Sequence, residues 1–222
     1  MLQKLIASAA LTVSLMQGAM LTALPQLDIN GEIFLVNRQF PISEYYVPDT
    51  VAVNVSGTSR LMREDAARAL EEMFAAAKSE AKITFLTVSG YRSYGKQTLI
   101  YKNKVKNTGS KEKADEYVAL PGASEHQLGL AMDLGAKGVS SGLNGSFGKT
   151  KAGKWLVENA HRFGYIIRYQ AGWEDITGYN YEPWHVRYVG VKHATAMFEK
   201  NIPMEKYVEE LRLQALFDIL EP

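Results

Sequence analysis

The feature that most limits the fold is the order in which β-branched runs and helical patterns alternate along the chain. Residues 51–55 (VAVNV) and 83–88 (ITFLTV) have the composition of strands, and the Ala- and Glu-rich segment 63–81 between them carries apolar residues at helical spacing. Further strands are predicted at 33–36 and 165–169, and further helices at 151–163 and 203–220. Because the elements alternate without a regular βαβ rhythm, the sequence predicts an α+β fold and not a doubly wound parallel sheet.

The N-terminal segment differs from the rest of the chain. Residues 5–24 contain no charged side chain, follow Lys4 and stop at Pro25. This pattern is typical of an export signal, but about 20 uncharged residues can also span a bilayer, and no clean small-x-small cleavage site is present. We therefore expect residues 1–25 to be a signal peptide or a membrane anchor, with a buried helix as the alternative. The remaining residues 26–222 are expected to form one exported domain.

Composition excludes several kinds of chemistry. The chain has 222 residues, no cysteine, and a formal net charge of +1. Disulfides, Fe–S clusters, cysteine-ligated zinc and thiol nucleophiles are therefore excluded, and any metal must be bound by histidines and carboxylates. The small net charge gives no reason to expect a nucleic-acid partner.

The chain has four histidines, and two of them stand near carboxylates in a pattern that a metal site requires. His126 and Asp133 lie seven residues apart in a segment that leads into a strand, and His185 follows Glu182 by three residues. Two histidines and one aspartate would leave a fourth tetrahedral position open for water, as in catalytic zinc sites. Glu182 could then accept the proton of that water. Taken singly, each of these residues could equally serve an ordinary loop, turn or surface role.

Three blocks together resemble the D-alanyl-D-alanine carboxypeptidase family of zinc peptidases, which includes the vancomycin-resistance D,D-carboxypeptidases. They are residues 89–97 (SGYRSYGKQ), 124–133 (SEHQLGLAMD) and 182–185 (EPWH). Their order and spacing also match the family, and the resemblance covers roughly residues 33–210. It implies a small antiparallel sheet flanked by helices, with the zinc site at the sheet.

The resemblance also implies roles for individual residues. His126, Asp133 and His185 match the ligands of one zinc ion per chain, and Glu182 matches the catalytic base. Arg92 matches the arginine that contacts the substrate carbonyl and its tetrahedral intermediate, where a fixed cation stabilises the developing charge. The remaining matches are positions expected to bind substrate: Tyr91, Ser93, Gln97, Ser124 and Trp184.

The activity implied by the resemblance is removal of the terminal D-alanine from peptidoglycan stem peptides that end in D-Ala-D-Ala, in the bacterial cell envelope. A metal-activated water would attack, with Glu182 as general base, and the protein is expected to act as a monomer with possible membrane association through residues 5–24. L,D-carboxypeptidase activity on tetrapeptide stems is the nearest alternative, and dipeptidase activity is a further one. A zinc-containing binding module without turnover is the alternative outside enzymes.

Overall fold

The computed structural model describes residues 28–140 and 142–220. The predicted export segment 5–24 therefore lies outside the described residues. Within the described part of the chain, no helix combines the length and the apolar character needed to cross a membrane. The contacts divide the chain into the unit Val36–Pro203 and a second unit to which residues 28–35 and 204–220 belong.

The main unit contains both sheets. Its strands are β1 (Val51–Ala52), β2 (Leu61–Met62), β3 (Phe85–Ser89), β4 (Ala131–Ala136), β5 (Tyr165–Tyr169) and β6 (Glu182–Tyr188). Its α-helices are α1 (Glu64–Ala81), α2 (Tyr94–Thr108), α3 (Lys111–Asp115), α4 (Lys151–Asn159), α5 (Glu174–Thr177) and α6 (Val191–Lys200). Short 3₁₀ helices span Glu125–Leu128, Gly145–Lys149 and Ala160–Phe163.

The second unit contains the C-terminal helix and a turn. Helix α7 (Met204–Leu220) follows Pro203 directly, and its bounds agree with the helix predicted for 203–220. The turn at residues 28–31 is closed by a hydrogen bond from Gly31 N to Asp28 O at 2.9 Å.

The larger sheet has four antiparallel strands in the order β3-β4-β6-β5. Its two central strands pair Asp133 with His185 and, one residue along, Met132 with Val186. Side chains on a strand alternate between the two faces, so Asp133 and His185 share one face while Met132 and Val186 share the other. This arrangement confirms the α+β prediction and the small antiparallel sheet flanked by helices.

Helices α1 and α4 pack against the face that Met132 shares. Phe85 on β3 pairs with Ala136 on β4 and therefore lies on that face. Its ring is 5.4 Å from that of Phe74 on α1 and 5.9 Å from that of Trp155 on α4. The apolar core therefore lies on one side of the sheet, and the opposite side carries Asp133 and His185.

Local signals explain where the longer helices begin and end. Helix α1 has Glu64 and Asp65 in its first turn, where carboxylates complement the helix dipole, and buries its apolar face. Helix α2 is capped by the Ser93 side chain, which accepts a hydrogen bond from Lys96 N at 3.3 Å. It ends at Gly109, whose φ of 72° lies in the left-handed region that favours glycine.

Two of the strand predictions need correction. The prediction for residues 33–36 is wrong, because Phe34, Leu35 and Val36 are buried without forming a strand. The prediction for 51–55 holds for its first two residues, since the chain then turns and Ser56 O accepts a hydrogen bond from Thr87 N of β3 at 3.1 Å. Apolar runs of this length report burial, and burial does not require a pairing partner.

Candidate active site

Secondary structure brings His126, Asp133 and His185 together on the polar side of the sheet. Asp133 and His185 are directly paired neighbours on β4 and β6, and His126 lies in the 3₁₀ helix Glu125–Leu128 that precedes β4. One ligand atom from each residue lies within 4.8 Å of the other two, and all three residues are buried. The three residues named in the sequence prediction therefore form one compact cluster.

The hydrogen bonds of the two imidazoles test whether this cluster suits a cation. His126 Nδ1 lies 2.8 Å from the carbonyl oxygen of Gly90 and must donate to it, so Nε2 keeps its lone pair. Burial and the Arg92 guanidinium lower the pKa of His126 to about 4, which keeps this ring neutral. Its Nε2 is buried without a hydrogen-bond partner among the described residues and lies 3.4 Å from Asp133 Oδ2. A lone pair facing a carboxylate is unfavourable unless a cation lies between them.

The ring of His185 also faces the Asp133 carboxylate, through Nδ1 where His126 uses Nε2. Its Nε2 lies 3.2 Å from Glu125 Oε2, and its Nδ1 lies 3.1 Å from Asp133 Oδ1. Burial opposes a charged ring, but the hydrogen bonds with Asp133 and Glu125 outweigh it and raise the pKa of His185 to about 9. A metal cation can take the place of the proton that Nδ1 then carries, because metal ligation requires neutral imidazole. The donor set, two imidazoles and one carboxylate, fits Zn²⁺.

Glu125 is a functional candidate that the sequence prediction missed. Its side chain is fully buried, and its Oε1 lies 2.8 Å from both Arg168 Nε and Arg187 Nη1. Burial alone would raise the pKa of Glu125, but the two guanidinium groups hold it well below its usual range. The resulting carboxylate fixes the Nε2–H tautomer and the ring orientation of His185, as carboxylates behind metal-binding histidines do.

A sequence signal for this network was present. Arg168 interrupts the otherwise apolar and aromatic strand β5 (YIIRY), and Arg187 lies between Val186 and Tyr188 in β6. A charge placed inside such a run is almost always paired when it is buried. The signal predicts that an acidic partner exists, but it does not identify Glu125 as that partner.

Glu182 stands beside the cluster at the start of β6. Its Oε2 lies 3.9 Å from His185 Nδ1. Burial raises the pKa of Glu182 to about 7, with Asp133 adding to the increase and His185 opposing it. A carboxylate whose pKa lies near neutrality can both accept and return a proton, which is what a general base that later acts as an acid requires.

Arg92 provides a cation on the other side of Asp133. Its Nη2 lies 3.8 Å from Asp133 Oδ2, and its Nη1 donates to Gln97 Oε1 at 3.0 Å. Gln97 in turn donates from Nε2 to the carbonyl oxygen of Ala119 at 2.7 Å. The Nε of Arg92 is buried without an acceptor within the described chain. Arg92 is thus held in place and retains a donor for a ligand.

These groups line one cavity of about 350 Å³. Its lining includes the predicted substrate-binding residues Gln97, Ser124 and Trp184. Tyr91 and Ser93 are not part of this lining: the backbone N–H of Tyr91 donates to Leu61 O at 2.7 Å, and Ser93 caps helix α2. The structure therefore brings together the predicted metal, base and arginine residues and three of the five predicted substrate-binding residues.

The cavity contains a buried cluster of two histidines and one aspartate, together with a glutamate and an arginine. This is the composition of a metallopeptidase site. Comparison with known proteins identifies the family to which the chain belongs. The model of the VanY family, D-alanyl-D-alanine carboxypeptidase, matches residues 59–191. The chain therefore belongs to the VanY family of D-alanyl-D-alanine carboxypeptidases.

Two curated relatives agree with this assignment. A putative carboxypeptidase of Bacillus subtilis (strain 168), YodJ, is 45% identical over 185 residues, which is 80% of this chain and 67% of that protein. A D-alanyl-D-alanine carboxypeptidase of Enterococcus faecalis is 37% identical over 184 residues, 79% of this chain and 65% of that one. The chain thus spans about two thirds of the length of these relatives.

Solved structures show the same fold. The LD-carboxypeptidase LdcB superimposes with a TM-score of 0.75 at 45% identity, covering 80% of this chain and 86% of that one. A mutant of the vancomycin-resistance D,D-pentapeptidase VanY in complex with Zn(II) gives a TM-score of 0.69 at 36% identity. This match covers 80% of this chain and 98% of that one. The resemblance recognised in the sequence is thus confirmed at the level of family and fold.

Proposed function

We propose that this protein is a zinc-dependent carboxypeptidase that removes the terminal D-alanine from peptidoglycan stem peptides ending in D-Ala-D-Ala. The observation that carries the proposal is the convergence of His126, Asp133 and His185 beside Glu182 in one buried cluster. The names of the VanY family and of its E. faecalis relative support the substrate, and the VanY structure with Zn(II) supports the metal.

Each residue of the cluster has a task in this reaction. His126, Asp133 and His185 would hold one zinc ion per chain, through His126 Nε2 and His185 Nδ1 on the histidines. Zinc in such a site acidifies water and polarises a carbonyl oxygen. Glu182 accepts the proton of the attacking water and returns it to the leaving amine of D-alanine. Arg92, held by Gln97, donates to the oxygen that becomes negatively charged as the carbonyl is attacked.

The remaining parts of the proposal concern substrate binding and location. Ser124 and Trp184 line the cavity and would contact the stem peptide, together with Gln97. Residues 5–24 would direct export to the cell envelope, either as a signal or as a membrane anchor, and the protein would act as a monomer. The presence of both Glu182 and Arg92 in the cavity argues against a binding module without turnover, because a pure binder needs neither a base nor an oxyanion partner.

One comparison favours a second candidate activity. LdcB, at 45% identity, is an LD-carboxypeptidase by name, whereas the VanY relatives are D,D-peptidases. The same cluster could serve either reaction, because the scissile bond and the leaving D-alanine differ little between tetrapeptide and pentapeptide stems. The difference would depend on the residue that precedes the scissile bond.

Release of D-alanine from two defined stem peptides separates these candidates. The zinc-loaded protein is incubated with a pentapeptide stem ending in D-Ala-D-Ala and, separately, with the tetrapeptide that lacks the last residue; products are identified by mass spectrometry. The proposal predicts a kcat/KM at least about tenfold higher for the pentapeptide. The reverse preference would assign L,D-carboxypeptidase activity, and hydrolysis of neither peptide would contradict the proposed function.

A further inference from the structure

One charged group in the catalytic cavity has no counter-charge within the described chain. Lys104, on helix α2, lines the cavity, and its ammonium contacts the ring of Tyr117, with Nζ 4.3 Å from the ring centroid. No carboxylate of the described residues forms an ion pair with it. A cation over an aromatic face is held in position while its N–H groups remain available to an anion.

The other charged groups that line the cavity already have partners. Arg92 is engaged by Gln97 and lies near Asp133, and Glu125 is neutralised by two buried arginines. Asp133 and Glu182 both lie beside His185. Apart from Arg92, whose unpaired Nε is buried, Lys104 is therefore the described lining charge that a substrate could satisfy without displacing an existing contact.

The position of Lys104 on α2 shows which part of a substrate it can reach. Gln97 should lie near the scissile carbonyl, because it accepts a hydrogen bond from Arg92, the proposed donor to that carbonyl. Lys104 comes seven residues later on the same helix, which is about two turns and about 10 Å along the same face. The carboxylate of the departing D-alanine lies only one residue, about 3.5 Å, from the scissile bond. A carboxylate farther along the peptide matches the separation of Gln97 and Lys104 along the helix better than this one does.

We propose that Lys104 and Tyr117 form a subsite for a free carboxylate on the part of the stem peptide that precedes the scissile bond. An extended peptide spans about 10 Å in about three residues, which places this carboxylate on the second or third residue before the bond. The inference rests on the proposed function, since it deepens the description of the substrate of the same cavity.

The surroundings of Lys104 strengthen its attraction for an anion. Between residues 94 and 117 there are six lysines and three carboxylates: Lys96, Lys102, Lys104, Lys106, Lys111, Lys113, Glu112, Asp115 and Glu116. Lys102, Lys106, Lys111 and Lys113 are exposed. This segment thus has an excess of positive charge in a chain whose formal net charge is +1, and the excess would favour the approach of an acidic ligand at moderate ionic strength.

A matched set of peptides and variants tests the proposal. The substrates are acetylated tetrapeptides that end in D-Ala-D-Ala. In the reference peptide both residues before D-Ala-D-Ala are glutamine, and in each test peptide one of these two glutamines is replaced by glutamate. For the zinc-loaded wild-type protein we expect kcat/KM to be about 3- to 10-fold higher with one glutamate than with none. In Lys104→Met this ratio should fall to about one, whereas the exposed control Lys106→Met, which does not line the cavity, should keep it.

The dissociation constants of fluorescently labelled forms of the same peptides are measured in parallel. They test the subsite independently of turnover. A glutamate preference that persists in Lys104→Met, or a wild-type protein that binds both kinds of peptide equally, would overturn the inference. Failure to hydrolyse any of the peptides, with the glutamate preference in binding intact, would contradict the proposed function while supporting the subsite.

Discussion

Two walls of the same cavity are built in different ways. The sheet wall, formed by Asp133, Glu182 and His185, is largely buried, and its groups lie within hydrogen-bond or ion-pair distance of one another. The helical wall, formed by Lys104 and Tyr117, is more open: Tyr117 is 50% exposed, and the Lys104 ammonium meets an aromatic ring in place of a carboxylate.

This difference separates two requirements of a peptidase. Groups that act on a developing charge must be fixed before the substrate arrives, because their contribution depends on preorganisation. Burial of the Arg168–Glu125–Arg187 network behind the sheet wall achieves this, since a desolvated ion pair has few alternative geometries. Groups that recognise a flexible peptide can remain solvated, and each contributes less. The walls should therefore respond differently to substitution.

The largest effect is expected at Glu182. Glu182→Gln removes the proposed proton acceptor but keeps the size of the side chain, so kcat should fall by about 10²- to 10⁴-fold. Zinc content, measured by atomic emission, should remain that of the wild type, because Glu182 is not among the three clustered ligand residues. Normal release of D-alanine by this variant would refute the assignment of the base.

Arg92 should come next. Arg92→Met removes the proposed donor to the developing oxyanion, and kcat should fall by about 10²- to 10³-fold. Steady-state kinetics with a D-Ala-D-Ala peptide measure the change, and retained zinc content shows that the ligand cluster is intact. If the loss appeared in KM alone, Arg92 would serve in ground-state binding, and the contrast between the two walls would weaken.

Glu125 tests whether the buried network positions a metal ligand. Glu125→Gln should weaken zinc binding by about 10- to 100-fold, because the carboxylate that fixes the Nε2–H tautomer of His185 is lost. The variant also removes the carboxylate that pairs with two buried guanidinium groups, and the loss should cost about 3–5 kcal/mol of stability. Zinc affinity is therefore measured by competition with a chelator below the unfolding transition. The exposed Glu112→Gln serves as the control, and equal zinc affinities in the two variants would contradict this role.

The smallest effect is expected on the helical wall at Tyr117. Tyr117→Leu removes the ring that holds the Lys104 ammonium, and KM for a glutamate-containing peptide should rise by about 2- to 5-fold. Steady-state kinetics on the glutamate and glutamine peptides measure it. A loss as large as that of Arg92→Met would show that this wall takes part in catalysis, and the two-wall comparison would fail.

The sequence predicts the residues of the sheet wall better than those of the helical wall. His126, Asp133, Glu182 and Arg92 lie in recognisable blocks, so their convergence on the sheet could be expected before the structure was known. The strand at 165–169 was predicted with the bounds that β5 has, because its β-branched and aromatic run ends at clear turn residues.

The helical wall gave weaker signals. Helix α2 buries Gln97 alone along its 15 residues, so it lacks the apolar periodicity by which α1 was recognised. Behind the sheet wall, the pairing of Glu125 with Arg168 and Arg187 joins residues 43 and 62 positions apart, and no local sequence pattern specifies it. Tyr91 and Ser93 share a block with Arg92, but neither lines the cavity, and the Ser93 side chain caps helix α2.

Dependence of D-alanine release on zinc tests the central claim most directly. The protein is stripped of metal with a chelator, and Zn²⁺ is titrated back while release from a D-Ala-D-Ala peptide is recorded, in the wild type and in Asp133→Asn. We predict no release from the stripped protein, full recovery at one zinc per chain, and no recovery in Asp133→Asn at the same zinc concentration. Release that continues without metal, or that recovers equally in both proteins, would contradict the account.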